Sequence, residues 1–314
     1  MGDPPPGNAR EVTHVAGLYG DTAGLMTGVL DFIGEGLDLD EAVQVVAPAL
    51  RISDLRARMD GLGQRVNWVD MTGAGTNPAL IIPVMHAFAS SQAAPTARCV
   101  VEPGWDTRTA AEQRELIRHE ALINLAFAGM PVTVLCPYDT TLREPGILAC
   151  AERTHPVLIR DGQAGPSSGY SAAAGLPAEC DEPLDRPPLD AARLPYRAGL
   201  AAVRAFAAEH ASAAGLTAGR TGDLVIAVSE LAANTFRYTS TGGILTVWAA
   251  AGELICQVED TGHITDPLAG RRRPPPDTGG GNGLRIVHQV CDLVELRTGP
   301  DGTIIRVHMG LDSR

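Results

Sequence analysis

The sequence predicts an α/β chain of two domains: a mainly parallel sheet covered on both faces, followed by a two-layer α/β sandwich. Three observations predict it. Between residues 12 and 160, short apolar runs alternate with helical patterns, as expected of strands joined by crossover helices. Between 161 and 190, apolar periodicity disappears and Gly, Ser, Ala and Pro dominate, as in linkers. Beyond that stretch the order reverses, with helices leading and strands following. A length of 314 residues suits two domains.

Residues 1–11 read as a flexible tail. In the first domain (12–160), strands are expected at 14–18, 42–47, 66–70, 98–102 and 132–136, each a short β-branched or apolar run. Helices are expected at 22–36, 52–62, 78–90 and 109–128. In the second domain (191–314), helices at 195–214 and 222–238 precede strands at 243–250 and 253–259. A helix at 282–291 and strands at 293–298 and 303–309 complete it. Gly299-Pro-Asp-Gly302 is a hairpin turn, with Pro at the second position and Gly at the last. Along 253–259, Leu254, Cys256 and Val258 alternate inward and Glu253, Gln257 and Glu259 outward.

The net charge of −12 argues against a nucleic-acid surface, which needs clustered cations. The sequence contains no lysine, so any site that would use an ammonium must use a guanidinium or backbone N–H groups. Six cysteines, none in a C-x-x-C pair, read as buried small hydrophobes in a reducing compartment. The N-terminus lacks an apolar signal core and no apolar run reaches the length of a membrane span, so a soluble cytoplasmic protein without a membrane partner is expected.

Chemistry concentrates in the second domain. At about 100° per residue, Glu230, Asn234 and Arg237 fall within roughly 60° of one another on the 222–238 helix. Leu224, Val228 and Thr235 project to the other side. A carboxylate can take a proton from a nucleophile, an amide oxygen suits Mg²⁺, and arginine can hold phosphate. Alone, the trio equally describes the polar face of a surface helix. Asp260-Thr-Gly262 ends a strand with an acceptor beside a backbone that can bend tightly. It also fits an ordinary turn. Gly279-Gly-Gly-Asn-Gly283 opens a helix, where free N–H groups bind phosphate, or simply forms a flexible loop with a cap. Arg271, Arg272 and Arg273 lie between these segments, and at least one of them is expected to be solvated.

Taken in order, SELAANTFRY, VEDTG and GGGNGLRIV resemble the N, G1 and G2 boxes of the GHKL ATPases. Within that superfamily the domain is similar to bacterial anti-sigma factor serine kinases. The resemblance implies a Bergerat fold, ATP and Mg as cofactors, Glu230 as general base and Asn234 as the Mg²⁺ ligand. It further implies Arg237 near phosphate and Asp260 on adenine, with Thr303 nearby. Gly262, Gly279, Gly281 and Gly283 would frame the lid and phosphates. Implied partners are a sigma factor and a STAS-type anti-anti-sigma protein phosphorylated on serine or threonine. A homodimer is also implied. Two departures stand out: Arg237 replaces a common lysine, and His263-Ile264 follow Gly262 where a second glycine is usual.

In the first domain, strand ends carry Glu102 with Trp105, and Cys136 with Tyr138 and Asp139, while His119-Glu120 lies on the preceding helix. Ligands of open parallel sheets bind outside the carboxyl ends of strands, so these seven residues form a candidate pocket, or else caps and packing residues. No P-loop follows the first strand, and HEALIN lacks the second histidine of H-E-x-x-H, so neither nucleotide hydrolysis nor zinc is expected here. EPGW, HEALINLAFAGMPVTVLCPYD and ERTHPVL resemble the MEDS sensory domain, a RecA-like three-layer α/β/α module. That resemblance implies a small-molecule input. Two other readings remain: a histidine kinase phosphorylated on His119, and a non-catalytic ATP-binding module that sequesters a sigma factor.

Overall fold

The computed structural model describes residues 12–71, 77–104, 108–141, 145–170, 182–272 and 281–311. The chain divides into two compact units, Met1–Cys180 and Asp181–Arg314.

In the first unit the strands are β1 (Thr13–Tyr19), β2 (Ala42–Ala47), β3 (Val66–Asp70), β4 (Ala97–Val101), β5 (Val132–Asp139), β6 (Val157–Arg160) and β7 (Gln163–Pro166). They form one sheet in the order β3-β2-β4-β5-β1-β6-β7. All pairings are parallel except β6 with β7. The helices are α1 (Thr22–Asp38), α2 (Ala49–Ala57), α3 (Ile81–Ser91), α4 (Ala110–Ala126) and α5 (Pro145–Thr154). Local chemistry starts them. The Asp21 carboxylate accepts the Gly24 N–H at 2.7 Å, and Thr109 with Glu112 forms a reciprocal capping box on α4. Val15, Val43, Val45, Val100 and Leu135 pack with α1 and α2 residues in one core. Their strand neighbours His14, Gln44, Cys99 and Cys136 therefore project from the opposite face, and they are buried as well. Burial of both sheet faces is what a parallel sheet requires.

The sequence reading missed α5, β6 and β7. The stretch read as linker opens with β7, a polar edge strand (Gln163–Pro166) with no alternation to reveal it.

The second unit contains β8 (Ala192–Tyr196), α6 (Leu200–Ala213), α7 (Ala218–Tyr238), β9 (Gly243–Ala250), β10 (Glu253–Asp260), α8 (Gly283–Val290), β11 (Leu293–Gly299) and β12 (Gly302–Gly310). The sheet order is β11-β12-β10-β9-β8, antiparallel throughout. Leu224, Ala227, Val228 and Leu231 of α7 pack with Val203 and Ala207 of α6 and with Leu245, Cys256, Val258 and Val307 of the sheet. Each large side chain buried in this way contributes roughly 1.5–3 kcal/mol. Two expectations change here. A strand, β8, precedes the helices where helix 195–214 was expected to start, because Pro195 is tolerated on an edge strand. Gln257, expected to point outward, is buried. Arg306 donates to its amide oxygen at 2.9 Å and stacks over Trp248. Arg306 and Arg297 also donate to the backbone carbonyls of Asp185 and Glu182, which lay the end of the expected linker against the sheet's back.

Candidate functional site

A cleft of about 600 Å³ opens between α7, the end of β10, the segment after it and the start of α8. Its walls include Asn234 and Arg237 from α7, Asp260 and Gly262 from the β10 end, Gly281 and Gly283 from the loop into α8, and Thr303 from β12. Glu230 stands beside it: a Cβ on Gly283 would lie 2.8 Å from Glu230 Oε2 and 3.5 Å from Asn234 Nδ2. Glycine at 283 thus lets the start of α8 approach the acidic turn of α7. Gly281 has φ +98°, a conformation that favours glycine. Gly279 and Arg273 lie outside the described residues. Arg271 is buried, whereas Arg272 is exposed and pairs with Asp266 at 3.2 Å.

Asp260 is held on both oxygens. Oδ1 accepts the Gly262 N–H at 2.8 Å, and Oδ2 accepts the Thr235 hydroxyl at 2.6 Å. Thr235 in turn lies 3.0 Å from the Tyr196 hydroxyl, so a hydrogen-bond chain runs from β8 through α7 to the cleft. Tyr196 fits because residue 243 is glycine; a Cβ there would meet the phenol oxygen at 2.6 Å. A second chain runs along the floor. Thr303 donates to the Gly262 carbonyl at 2.8 Å and lies 2.9 Å from Thr298 Oγ1, which also accepts the Ile264 N–H at 3.0 Å. His263 Nδ1 is 3.2 Å from the same Thr298 oxygen. His263 and Ile264 are therefore tied to β11, and Ile264 packs on the core. Thr235, Thr298 and Tyr196 went unnoticed in the sequence. Thr235 was visible only as a sheet-facing neighbour of Asn234, and Thr298 gains meaning only through its cross-strand register with Thr303.

Residues 196–309 match the histidine kinase-like ATPase domain model, and residues 13–156 match MEDS, the methanogen/methylotroph, DcmR sensory domain. The chain carries a MEDS domain followed by a GHKL-type ATPase domain. Among solved structures, it is similar to the RsbU and RsbW domains of Rv1364c from Mycobacterium tuberculosis, with 19% identity and a TM-score of 0.31. That match covers 41% of this chain and 34% of the other. No curated protein matches the chain. No helix among the described residues is long and apolar enough to cross a membrane.

The ATPase domain implies ATP, typically with Mg, and the donor set fits both. Asn234 offers an uncharged oxygen to a hard cation. The first N–H groups of α8 have no partner within the helix and lie at the cleft wall. Asp260, fixed by two donors, retains lone pairs to accept an exocyclic amine.

In the MEDS domain the seven candidates separate. Glu120, Cys136 and Tyr138 meet in the core: Cys136 Sγ lies 3.3 Å from Glu120 Oε2, and Glu120 also acts on Tyr138. Burial, then the Glu120 charge, pushes the Tyr138 hydroxyl well above its ordinary range. His119 is fully buried beside them on α4. Glu102 instead pairs with Arg51 at 2.9 Å, and Asp139 folds back on the Thr141 N–H at 2.8 Å. Trp105 lies outside the described residues. His14 and His155 join the buried group. His14 gave no local signal, sitting alone in an apolar strand.

Proposed function

We propose that this chain is a signal-regulated anti-sigma factor. It would bind a sigma factor and use Mg-ATP to phosphorylate a serine or threonine on a STAS-type anti-anti-sigma partner. The observation that carries this reading is the single cleft bringing Asn234, Arg237, Asp260, Gly262, Gly281, Gly283 and Thr303 together with Glu230 at its edge. Mg-ATP, when bound, supplies the transferable phosphoryl group. Glu230 would take the proton of the attacking hydroxyl, Asn234 would hold Mg²⁺ and Asp260 would receive the adenine amine. Arg237, with the α8 N–H groups, would face phosphate in place of a lysine. The MEDS domain would supply the input by binding a small molecule, and a homodimer and a cytoplasmic location belong to the same reading.

Incubating the full chain and a STAS-type partner with labelled ATP and Mg²⁺ tests it. Label should appear on serine or threonine and disappear in Glu230→Ala. Calorimetric ATP binding with no transfer to any partner would instead select the non-catalytic, sigma-sequestering reading. A histidine kinase using His119 is disfavoured, because that imidazole is fully buried on α4. Acid-labile phosphate lost in His119→Ala would reinstate it.

A further inference from the structure

The MEDS domain has no local zinc motif, yet its fold gathers four metal-ligating side chains in the core. His14 comes from β1, Glu120 from α4, Cys136 from β5 and His155 from the residue after α5. All four are buried, and one donor atom from each lies within 4.8 Å of the others. Glu120 Oε2 is the hub, 3.3 Å from His14 Nε2, 3.4 Å from His155 Nε2 and 3.3 Å from Cys136 Sγ. His14 Nε2 lies 3.4 Å from Cys136 Sγ. Ligands about 2.0–2.3 Å from a tetrahedral zinc stand about 3.3–3.8 Å from one another. The four spacings given lie within that range, and the other two, both to His155, are within 4.8 Å.

His155 Nδ1 lies 2.9 Å from the Ala151 carbonyl, which can only accept, so Nδ1 carries a proton and Nε2 is the nitrogen a metal would use. Nε2 faces Glu120 Oε2 at 3.4 Å, so both donor atoms converge on one point where a shared cation would sit. A backbone carbonyl on the far nitrogen is also how metal-bound histidines are commonly oriented.

Charge balance fits a divalent ion: with neutral imidazoles, one carboxylate and one thiolate the site would be electrically neutral, as a core requires.

We propose that His14 and His155 through Nε2, Glu120 through Oε2 and Cys136 as thiolate bind one zinc ion in the MEDS domain. Four protein ligands leave no open coordination position, so the site is structural rather than hydrolytic. It ties together two neighbouring strands, α4 and the residue that follows α5. The proposal is independent of the ATPase reading.

The test uses the full-length chain, produced with zinc and desalted without chelator. Elemental analysis should find about one zinc per chain in the wild type and in Cys99→Ser, a buried-cysteine control, and a loss of roughly nine-tenths in Cys136→Ala. Because Cys136→Ala could fail to fold, the wild type is also loaded with Co²⁺. A near-ultraviolet thiolate-to-cobalt band with intense visible bands of tetrahedral cobalt supports the site. A wild-type protein holding no stoichiometric zinc and giving no such band overturns it. So does a thiolate–cobalt band that persists undiminished in Cys136→Ala, because another cysteine would then be the ligand.

Discussion

The two polar constellations of this chain are built in opposite ways. In the ATPase domain, Glu230 and Asn234 share one turn of α7, and Asp260 and Gly262 share one strand end. The glycines beyond open α8, and the whole set borders an open cleft. In the MEDS domain, His14, Glu120, Cys136 and His155 come from four elements and are sealed from solvent. A site that must exchange its ligand is placed on helix ends and loops, and so leaves contiguous motifs. A closed site can be assembled wherever the sheet brings side chains together.

The largest effect that would break this contrast concerns Glu230. Glu230→Gln should slow phosphate transfer roughly 10²–10⁴-fold while leaving ATP affinity nearly unchanged, read by partner phosphorylation and calorimetry. Full transfer in that variant would move the base elsewhere and remove the catalytic meaning of the α7 turn.

Gly302→Ala comes next. Gly302 has φ +123°, and an added Cβ would collide with the Asp260 carbonyl. Denaturant unfolding of the ATPase domain should show a loss of about 2–3 kcal/mol. Gly61 in the MEDS domain has φ +86° but nothing near its Cβ position, so Gly61→Ala should cost only about 1 kcal/mol. Equal losses would mean that close approach to the cleft adds nothing.

Asp260→Asn sharpens the comparison further. Both carboxylate oxygens accept protein donors, so an amide nitrogen must either oppose the Gly262 N–H or force the Thr235 hydroxyl to turn from donor to acceptor. ATP affinity should fall about tenfold by calorimetry. Unchanged affinity would remove Asp260 from the nucleotide contacts.

The mildest test is pH. Burial, then the neighbouring Arg271, lowers His288 to about 3, below its ordinary 6.5. The unfolded chain therefore binds a proton that the folded domain excludes. Stability should rise with pH between about 3 and 6.5 and be lost as pH falls through that window, by at most about 1.4 kcal/mol per pH unit. Between pH 7 and pH 5 the urea midpoint of the wild type should fall further than that of His288→Phe. An identical slope in both would assign the effect to other groups.

Much of the fold was legible because its signals are local. The run 42–47 reads as a strand on apolar character alone and is β2, and Gly299-Pro-Asp-Gly302 reads as the turn between β11 and β12. What escaped depends on partners distant in sequence. Neither β7 nor β8 has an apolar run, and each is a strand only because a neighbouring edge pairs with it. Gln257 is buried by Arg306, Trp248 and the chain arriving from the linker, none of which the alternation of β10 encodes. The sites divide in the same way. Spacing pointed to the residues that line the cleft, but not to Thr235, whose role requires Asp260 opposite it. His14 beside Cys136 follows from the pairing of β1 with β5, which no short motif records.

The chain Tyr196–Thr235–Asp260 has a mechanical consequence. Tyr196 ends β8, the edge strand by which the chain enters the ATPase sheet, and Asp260 ends β10 two strands away. A strand that slips by one residue turns every side chain to the opposite face. One step of β8 along β9 would swing the phenol out from under α7 and release Thr235 from one of its two side-chain partners. The edge strand is thus geared to the cleft: a sideways step of a few ångströms at the domain's entrance becomes a change in how firmly one carboxylate is held.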